Sequence, residues 1–483
     1  MGMVTGADYL KRMKLLKSDV WMDGEQVKGS YVDHPAFKPV LNAKAQLYDM
    51  VHDEKYAPTL QSKDKESNFS FEIPRSMEDL KKRRKATQLW ANETLGVLGR
   101  SPEYVNTMIT IMAGAKDFFA SDDPVYGENM ENIYKEAKEK DLTFTHTFVN
   151  PSISRKPYYP DGTGQEQPIA AKIVDENDKG IIIDGARLLA TQGGITDELL
   201  VIPSAAFIDS DYLFGCTIPS NSPGLTFLNR PSYNKEDSFN YPLSAQFEEG
   251  DAIVVFDQVF VPWERVFLYR NEWQMNDLFQ KTGVEAYILY QASNRQIVKT
   301  EWLIGIAQSL VNTLDIEKHQ HVQGKLAEML IVLEAMRGFV YSSEIQAELN
   351  EYGVMIPKLE PLKAAAAYFQ SVYPRLVEII QLLGASHFIA APTRQDFDSP
   401  ISAHLERFVR GEYTTAENKF RLIQLARDMT ITEFGTRQLL YERYFFGDPI
   451  RVMSSIYHLF QPNKQEYVTR VDQFLEKQKE NTK

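Results

Sequence analysis

The chain has 483 residues and carries 53 Lys and Arg against 66 Asp and Glu, a formal charge of −13. The length suits two or three domains or one large multi-layer fold, and the acid excess without a long basic block argues against nucleic acid or an anionic membrane as partner. The single cysteine, Cys216, excludes an intramolecular disulfide, a Cys-rich zinc site and a four-thiolate iron–sulfur site, and it reads as a small apolar filler.

The opening residues lack the apolar core of a signal peptide, and no stretch approaches the ~18 uninterrupted apolar residues of a membrane span. A soluble, cytoplasmic protein is expected. Helices are predicted over 7–17, 77–98, 102–119 and 124–140, the second from Leu80, Leu89, Trp90 and Leu95 at near-helical spacing. Residues 1–142 thus read as an N-terminal helical domain. The pattern changes at Thr143, where polar and apolar residues alternate up to Val149 in a run rich in Thr and Phe. Further strands are predicted over 170–175, 180–188, 198–208, 225–229 and 252–262, with turn clusters at 161–164 and 221–224 between some of them. This spacing suits a compact all-β domain over 143–270. From Asn271 the helical period returns, over 302–310, 321–344, 360–383 and 415–446, enough for a four-helix bundle in 271–483. The polar stretch 465–483 suits a surface helix or a frayed tail. The order is α, then β, then α bundle, an α+β multi-layer fold.

Nucleotide signatures are missing. Gly162 and Gly164 lack the third glycine of GxGxxG, since Gln167 stands there, and GxxxxGK[ST], HExxH and GxSxG are absent. His319 and His321 have no companion cysteine and read as surface residues at a helix start. The segment Gly99-Arg-Ser-Pro-Glu-Tyr104 has a plain structural reading: Gly99 stops one helix, Ser101 caps the next and Pro102 opens it. That reading leaves Arg100 and Tyr104 free, and a guanidinium and a phenol converging there would hold a phenolate or enolate oxygen. His146 lies mid-strand, either as a hydrogen-bonded core or edge histidine or as a general base near neutral pH. Ser152, Ile153, Ser154 and Arg155 suit the polar edge or pyrophosphate of a ligand. Gly447 and Pro449 break the last long helix.

Together these strings resemble the 4-hydroxyphenylacetate 3-hydroxylase family, the oxygenase components of two-component flavin-dependent aromatic hydroxylases. The strings are Gly99–Tyr104, Thr145-His-Thr-Phe-Val-Asn-Pro151 with Ser152 to Arg155, Leu189-Ala-Thr191, Arg437-Gln-Leu-Leu-Tyr-Glu-Arg443 and Phe446-Gly-Asp-Pro449, in order along nearly the whole chain. The resemblance implies an acyl-CoA-dehydrogenase-like fold, with an N-terminal α domain, a central β-barrel and a C-terminal four-helix bundle. It implies reduced FAD (FADH2) supplied by a separate NAD(P)H:flavin reductase, O2 as co-substrate, and ortho-hydroxylation of a small phenolic substrate, 4-hydroxyphenylacetate first. It assigns Arg100, Tyr104 and His146 to the phenol hydroxyl. To the flavin it assigns His146, Thr147, Phe148, Ser152, Ile153, Ser154, Arg155, Thr191, Phe446, Gly447, Asp448 and Pro449, and it implies a homotetramer built as a dimer of dimers. Where such enzymes hold a substrate carboxylate with small hydroxyl residues, this chain offers only Ser204 in Pro203-Ser-Ala-Ala206, which keeps phenol or a halophenol open as substrate. A 4-hydroxybutyryl-CoA dehydratase would need more than one cysteine for its cluster, and the strings of an acyl-CoA dehydrogenase proper are missing. A non-catalytic flavin-binding scaffold is the reading from a different class, and Arg100, Tyr104 and His146 argue against it.

Overall fold

The N-terminal third is built on five substantial helices, Gly6–Leu15, Lys38–Met50, Met77–Glu93, Pro102–Gly114 and Pro124–Lys140. This structure is a computed structural model that describes residues 2–151, 158–160, 166–202, 209–459 and 461–480. Local chemistry sets the helix ends. Thr5 and Asp8 form a reciprocal capping box at the first helix, and Asp123 and Pro124 open the last of the five. Asp141 closes that helix in a left-handed conformation. The helix expected over 102–119 ends at Gly114, and a short turn, Lys116–Phe119, follows it. The helix expected to reach residue 98 ends at Glu93, and Leu95 and Gly96 then turn with positive φ.

Two sheets make the central β-barrel. The larger runs in the order Glu25–Gln26, Asp19–Met22, Leu225–Asn229, Asp251–Pro262, Gly180–Thr191 and Lys172–Asn177. The smaller runs Val266–Tyr269, Phe214–Pro219, Glu198–Val201 and Phe144–Thr147. Asp19–Met22 pairs in parallel with Leu225–Asn229, so the N-terminal segment, read above as helices and loops, lends the barrel a strand. The strands Phe214–Pro219 and Val266–Tyr269 are not among the expected ones, and the strand expected over 198–208 is seen as Glu198–Val201, with 203–208 outside the described residues. One seam stitches the sheets together. Leu188 N donates to Val149 O at 2.8 Å, Thr145 Oγ1 to Thr191 O at 2.6 Å and Thr147 Oγ1 to Leu188 O at 2.8 Å. The alternation of Thr and Phe on Phe144–Thr147 therefore has a purpose: its threonines tie the seam, and His146 points away from it.

The C-terminal part is the bundle, with helices Val284–Leu314, Gln320–Ile345, Leu359–Gly384 and the pair Ala416–Thr430 and Glu433–Tyr444. The helix read as a single run over 415–446 splits because the Thr432 side chain accepts from Gly435 N and starts a new one. Pro449–Leu459 and Gln461–Glu480 follow, so the tail is helical to Glu480. Cys216 is buried, and burial pushes its thiol up, as expected of a filler. His319 and His321 lie on the surface. No helix among the described residues is long and apolar enough to cross a membrane, and no cluster there suits a metal ion.

Candidate active site

The loop between Glu93 and Pro102 must present Arg100 from a segment with no regular structure, so its backbone needs external partners. Glu249, just ahead of the strand Asp251–Pro262, supplies them: its carboxylate accepts from Gly99 N at 2.8 Å and Arg100 N at 2.7 Å. The same carboxylate accepts from Arg437 Nη1 at 3.1 Å. Asp251 receives the rest of the Arg437 fork, Nη2 at 2.8 Å and Nε at 3.2 Å, together with Arg230 Nε at 3.1 Å and Thr191 Oγ1 at 2.8 Å. Burial alone would push Asp251 up, but the Arg437 guanidinium beside it outweighs that and holds the carboxyl well below its usual range. Barrel, loop and bundle are thus locked by charge-assisted bonds at one point.

Ser101 makes no side-chain cap to the helix Pro102–Gly114, which corrects the capping expectation. Nor does Gly99 stop a helix, since the chain has already turned at Leu95 and Gly96. Gly99 is required for a different reason: a Cβ there would stand 2.5 Å from Tyr441 Oη. That close approach lets Arg100 Nη1 donate to Tyr441 Oη at 3.0 Å and to Gly99 O at 3.1 Å. The Arg100 guanidinium also lies 4.9 Å from the Tyr104 ring centroid and 5.1 Å from that of Phe445. Arg100 is 4% exposed, its Nε has no partner, and it meets no carboxylate side chain by salt bridge among the described residues.

Arg100, Tyr104 and His146 do converge. The Tyr104 and His146 rings are 5.7 Å apart, and His146 stacks on Phe148 at 4.0 Å. Both ring nitrogens of His146 are buried and have no hydrogen-bond partner among the described residues, which speaks against the hydrogen-bonded core histidine. Burial, and then the charge of Arg100, pushes His146 well below the usual histidine range. The imidazole is therefore neutral near pH 7, one nitrogen a donor and the other an acceptor, and a base at this position acts from that neutral form. Burial pushes the Tyr104 phenol up, with Arg100 opposing, so it too is neutral. A neutral imidazole beside this guanidinium can accept a proton, and the guanidinium can stabilise the negative charge left behind.

The helix Glu433–Tyr444 backs this cluster. Beside Tyr441, Glu442 accepts from Arg295 Nη1 at 2.6 Å and Nη2 at 3.0 Å, from Gln296 Nε2 at 3.0 Å and from Lys299 Nζ at 2.8 Å. Gln438 takes a second bond from Lys299 at 2.7 Å and donates to Val97 O at 3.1 Å, back on the Arg100 loop. This explains why Arg437, Gln438, Tyr441 and Glu442 stand in one short string: each meets the loop directly or through one intermediary.

Residues 5–268 match the family model described as 4-hydroxyphenylacetate 3-hydroxylase N terminal, and residues 275–476 match its C-terminal counterpart. The chain belongs to that family. Among relatives of this hydroxylase-family chain, the 4-hydroxyphenylacetate 3-monooxygenase oxygenase component of Geobacillus sp. (strain PA-9) is 39% identical, over 98% of this chain and 96% of its own. The oxygenase component from Thermus thermophilus is 37% identical, over 98% and 97%. A crystal structure of an oxygenase component of 4-hydroxyphenylacetate 3-monooxygenase, complexed with FAD and 4-hydroxyphenylacetate, superposes with a TM-score of 0.93. It is 36% identical, over 99% of this chain and 100% of that one.

The residues that the family resemblance gives to FAD divide into four groups. Ser152, Ile153, Ser154 and Arg155, and Ser204 of the substrate set, lie outside the described residues. Thr147 and Thr191 spend their hydroxyl protons on Leu188 O and Asp251 Oδ1, so toward a cofactor they offer lone pairs or backbone only. Phe446 packs on Phe445 at 4.8 Å, Gly447 turns with φ +100° and gives its carbonyl to Gln370, and Asp448 caps the helix that starts at Pro449. These residues fit the group. Buried His146, with a ring nitrogen unpartnered among the described residues and the flat ring of Phe148 beside it, suits the polar edge of a planar heterocycle.

Sequence reasoning missed Glu249, Gln192, Tyr441, Arg295, Lys299 and Glu442 as parts of the site. A signal existed for two of them: Arg295 and Lys299 are four residues apart on a helix that must bury that face, and buried cations require a partner.

Proposed function

We propose that this chain is the oxygenase component of an FADH2-dependent aromatic monooxygenase that converts 4-hydroxyphenylacetate to 3,4-dihydroxyphenylacetate, with reduced FAD delivered by a separate NAD(P)H-dependent flavin reductase. The observation that carries the reading is the neutral, doubly unsatisfied His146 facing Tyr104 beside Arg100, whose guanidinium has no salt-bridge carboxylate among the described residues. The names of the relatives supply the substrate. A phenol hydroxyl in this pocket donates to a His146 nitrogen, and Arg100 stabilises the negative charge that grows on its oxygen. The proton passes to the imidazole, and the resulting phenolate pushes electron density onto the carbon ortho to it. Bound reduced FAD supplies the two electrons with which O2 yields one oxygen atom to the ring and one to water. Phe148, Phe445 and Phe446 keep water from the reacting groups.

The reading extends to three domains, 1–142, 143–270 and 271–483, to a cytoplasmic place and to a homotetramer. Exposed Ile389, Phe408, Ile450 and Met453 on the C-terminal part support assembly. The test is His146→Ala. Its side chain makes no hydrogen bond among the described residues, so folding should survive while hydroxylation falls by about 10²–10⁴-fold. Undiminished hydroxylation would sink the assignment. Product from phenol or a halophenol but not from 4-hydroxyphenylacetate would move the substrate and keep the reaction.

A further inference from the structure

Lys44 sits in the middle of the helix Lys38–Met50 and is 1% exposed. Among the described residues its ammonium makes one hydrogen bond, to Gln192 Oε1 at 2.9 Å, and it lies 5.5 Å from the Tyr9 ring centroid. An ammonium only donates, so the amide oxygen of Gln192 must face it and the NH2 group must face the other way. There Gln192 Nε2 donates to Arg100 O at 3.0 Å and to Glu249 Oε1 at 3.0 Å. Turned over, the same amide would set its oxygen against a carbonyl and a carboxylate, two acceptors with nothing to give. Arg100 is consequently gripped at both ends of its backbone, the N–H by Glu249 and the carbonyl by Gln192.

Gln192 is itself placed at a cost: it is 1% exposed and has φ +63°, the left-handed region. Lys44 also costs more than an aliphatic chain of its length. Burial pushes it down to about 7, Asp197 and Glu249 pull it up, and Arg12 pushes it down again. Asp197 is engaged elsewhere, with Arg12 Nε at 2.8 Å and Thr143 Oγ1 at 2.8 Å.

We propose that Lys44 and Gln192 are positioning residues for Arg100: the ammonium selects the amide orientation that holds the Arg100 backbone, and so sets where the guanidinium meets the phenol oxygen. The proposal rests on the role given to Arg100 above. Its first test is the partition of oxygen between hydroxylated product and hydrogen peroxide, measured on the full chain with reduced FAD, O2 and 4-hydroxyphenylacetate. Because flavin oxidised free in solution also gives peroxide, folded protein of each variant, isolated by size exclusion, is held in excess over the reduced FAD. Lys44→Met and Gln192→Met should each shift the partition toward peroxide by about ten-fold, the worth of one buried hydrogen bond, and the double variant should be no worse than either single one. Partition within about two-fold of the parent in both single variants overturns the proposal, given that a difference of one such bond is what is at stake. Arg100→Met is the control. If it leaves the partition unchanged, the Arg100 reading fails; if it shifts the partition while Lys44→Met does not, only the positioning role fails. The second test needs no turnover. Hydrogen exchange at the Gly99 and Arg100 amides in the ligand-free protein should be about ten-fold faster in Lys44→Met. Unchanged exchange there overturns the proposal.

Discussion

Replacing Glu442 by Gln should expose the cost of the buried charge cluster behind Tyr441. In the parent protein one carboxylate serves two cations, Arg295 and Lys299, with the side chains of Glu442 and Lys299 fully buried and that of Arg295 3% exposed. Glu442→Gln keeps the shape, removes the negative charge and turns an NH2 group toward one of its former donors. Stranding a buried cation in this way costs about 3–5 kcal/mol. Lys299 can relieve part of it by giving up its proton. Burial already pushes it down to about 8, with Glu442 pulling up and Arg295 pushing down. Without Glu442 the folded value falls further, while the unfolded chain keeps the ordinary lysine value of about 10.4. Between those two values the unfolded chain binds a proton that the folded one does not, so the stability of the variant rises with pH across that window. The loss relative to the parent is therefore largest near pH 6 and smallest near pH 9. Urea unfolding of both proteins at the two pH values, at one protein concentration, reads it directly. A loss under about 1 kcal/mol at pH 6 refutes the reasoning, and so does an equal loss at both pH values.

Three further outcomes follow from the same geometry. Gly99→Ala puts a methyl 2.5 Å from Tyr441 Oη, so Tyr441 or the loop must move and hydroxylation should fall at least about ten-fold with the circular dichroism spectrum kept; full activity contradicts this. Tyr441→Phe removes one charge-assisted bond to Arg100 and should raise the KM for the phenol about ten-fold in steady-state assays; an unchanged KM counts against the role of Tyr441 in aiming the guanidinium. Because burial holds His146 far below the unfolded value of about 6.5, the unfolded chain gains a proton below that pH that the folded chain does not, and stability is lost as pH falls through it. His146→Phe should flatten the decline of the thermal midpoint between pH 7 and pH 5, and an unaltered slope in calorimetry would show that His146 is not its source.

Much of the fold is legible in the sequence because its elements are set locally. Ser76 and Met77 mark the start of Met77–Glu93, and the Thr and Phe alternation marks Phe144–Thr147 with His146 on its inner face. The strand Asp19–Met22 is not legible: four residues acquire strand character only by pairing with Leu225–Asn229, two hundred positions on. Phe214–Pro219 is buried at nearly every position and so shows no alternation, only a short apolar run. The break at Thr432 is written in Thr432 and Glu433, but the helical period on either side masks it. The site divides in the same way. Arg100 and Tyr104 are four residues apart at the entry to the helix Pro102–Gly114, so their nearness can be anticipated from sequence distance alone. Glu249, which holds the Arg100 amide, is 149 residues away, and no spacing rule reaches it. The neutrality of His146 is also invisible, since it comes from burial by distant elements rather than from its own strand.

The central claim is that this chain uses reduced FAD and O2 to hydroxylate a phenol. The most direct measurement mixes the protein and reduced FAD with oxygenated buffer containing 4-hydroxyphenylacetate, and quantifies 3,4-dihydroxyphenylacetate by chromatography beside a sample without protein. The account expects the catechol only where the protein is present, formed at the expense of hydrogen peroxide. Oxidation of the reduced FAD at the protein-free rate, with peroxide and no hydroxylated product from this or any phenol, would contradict it.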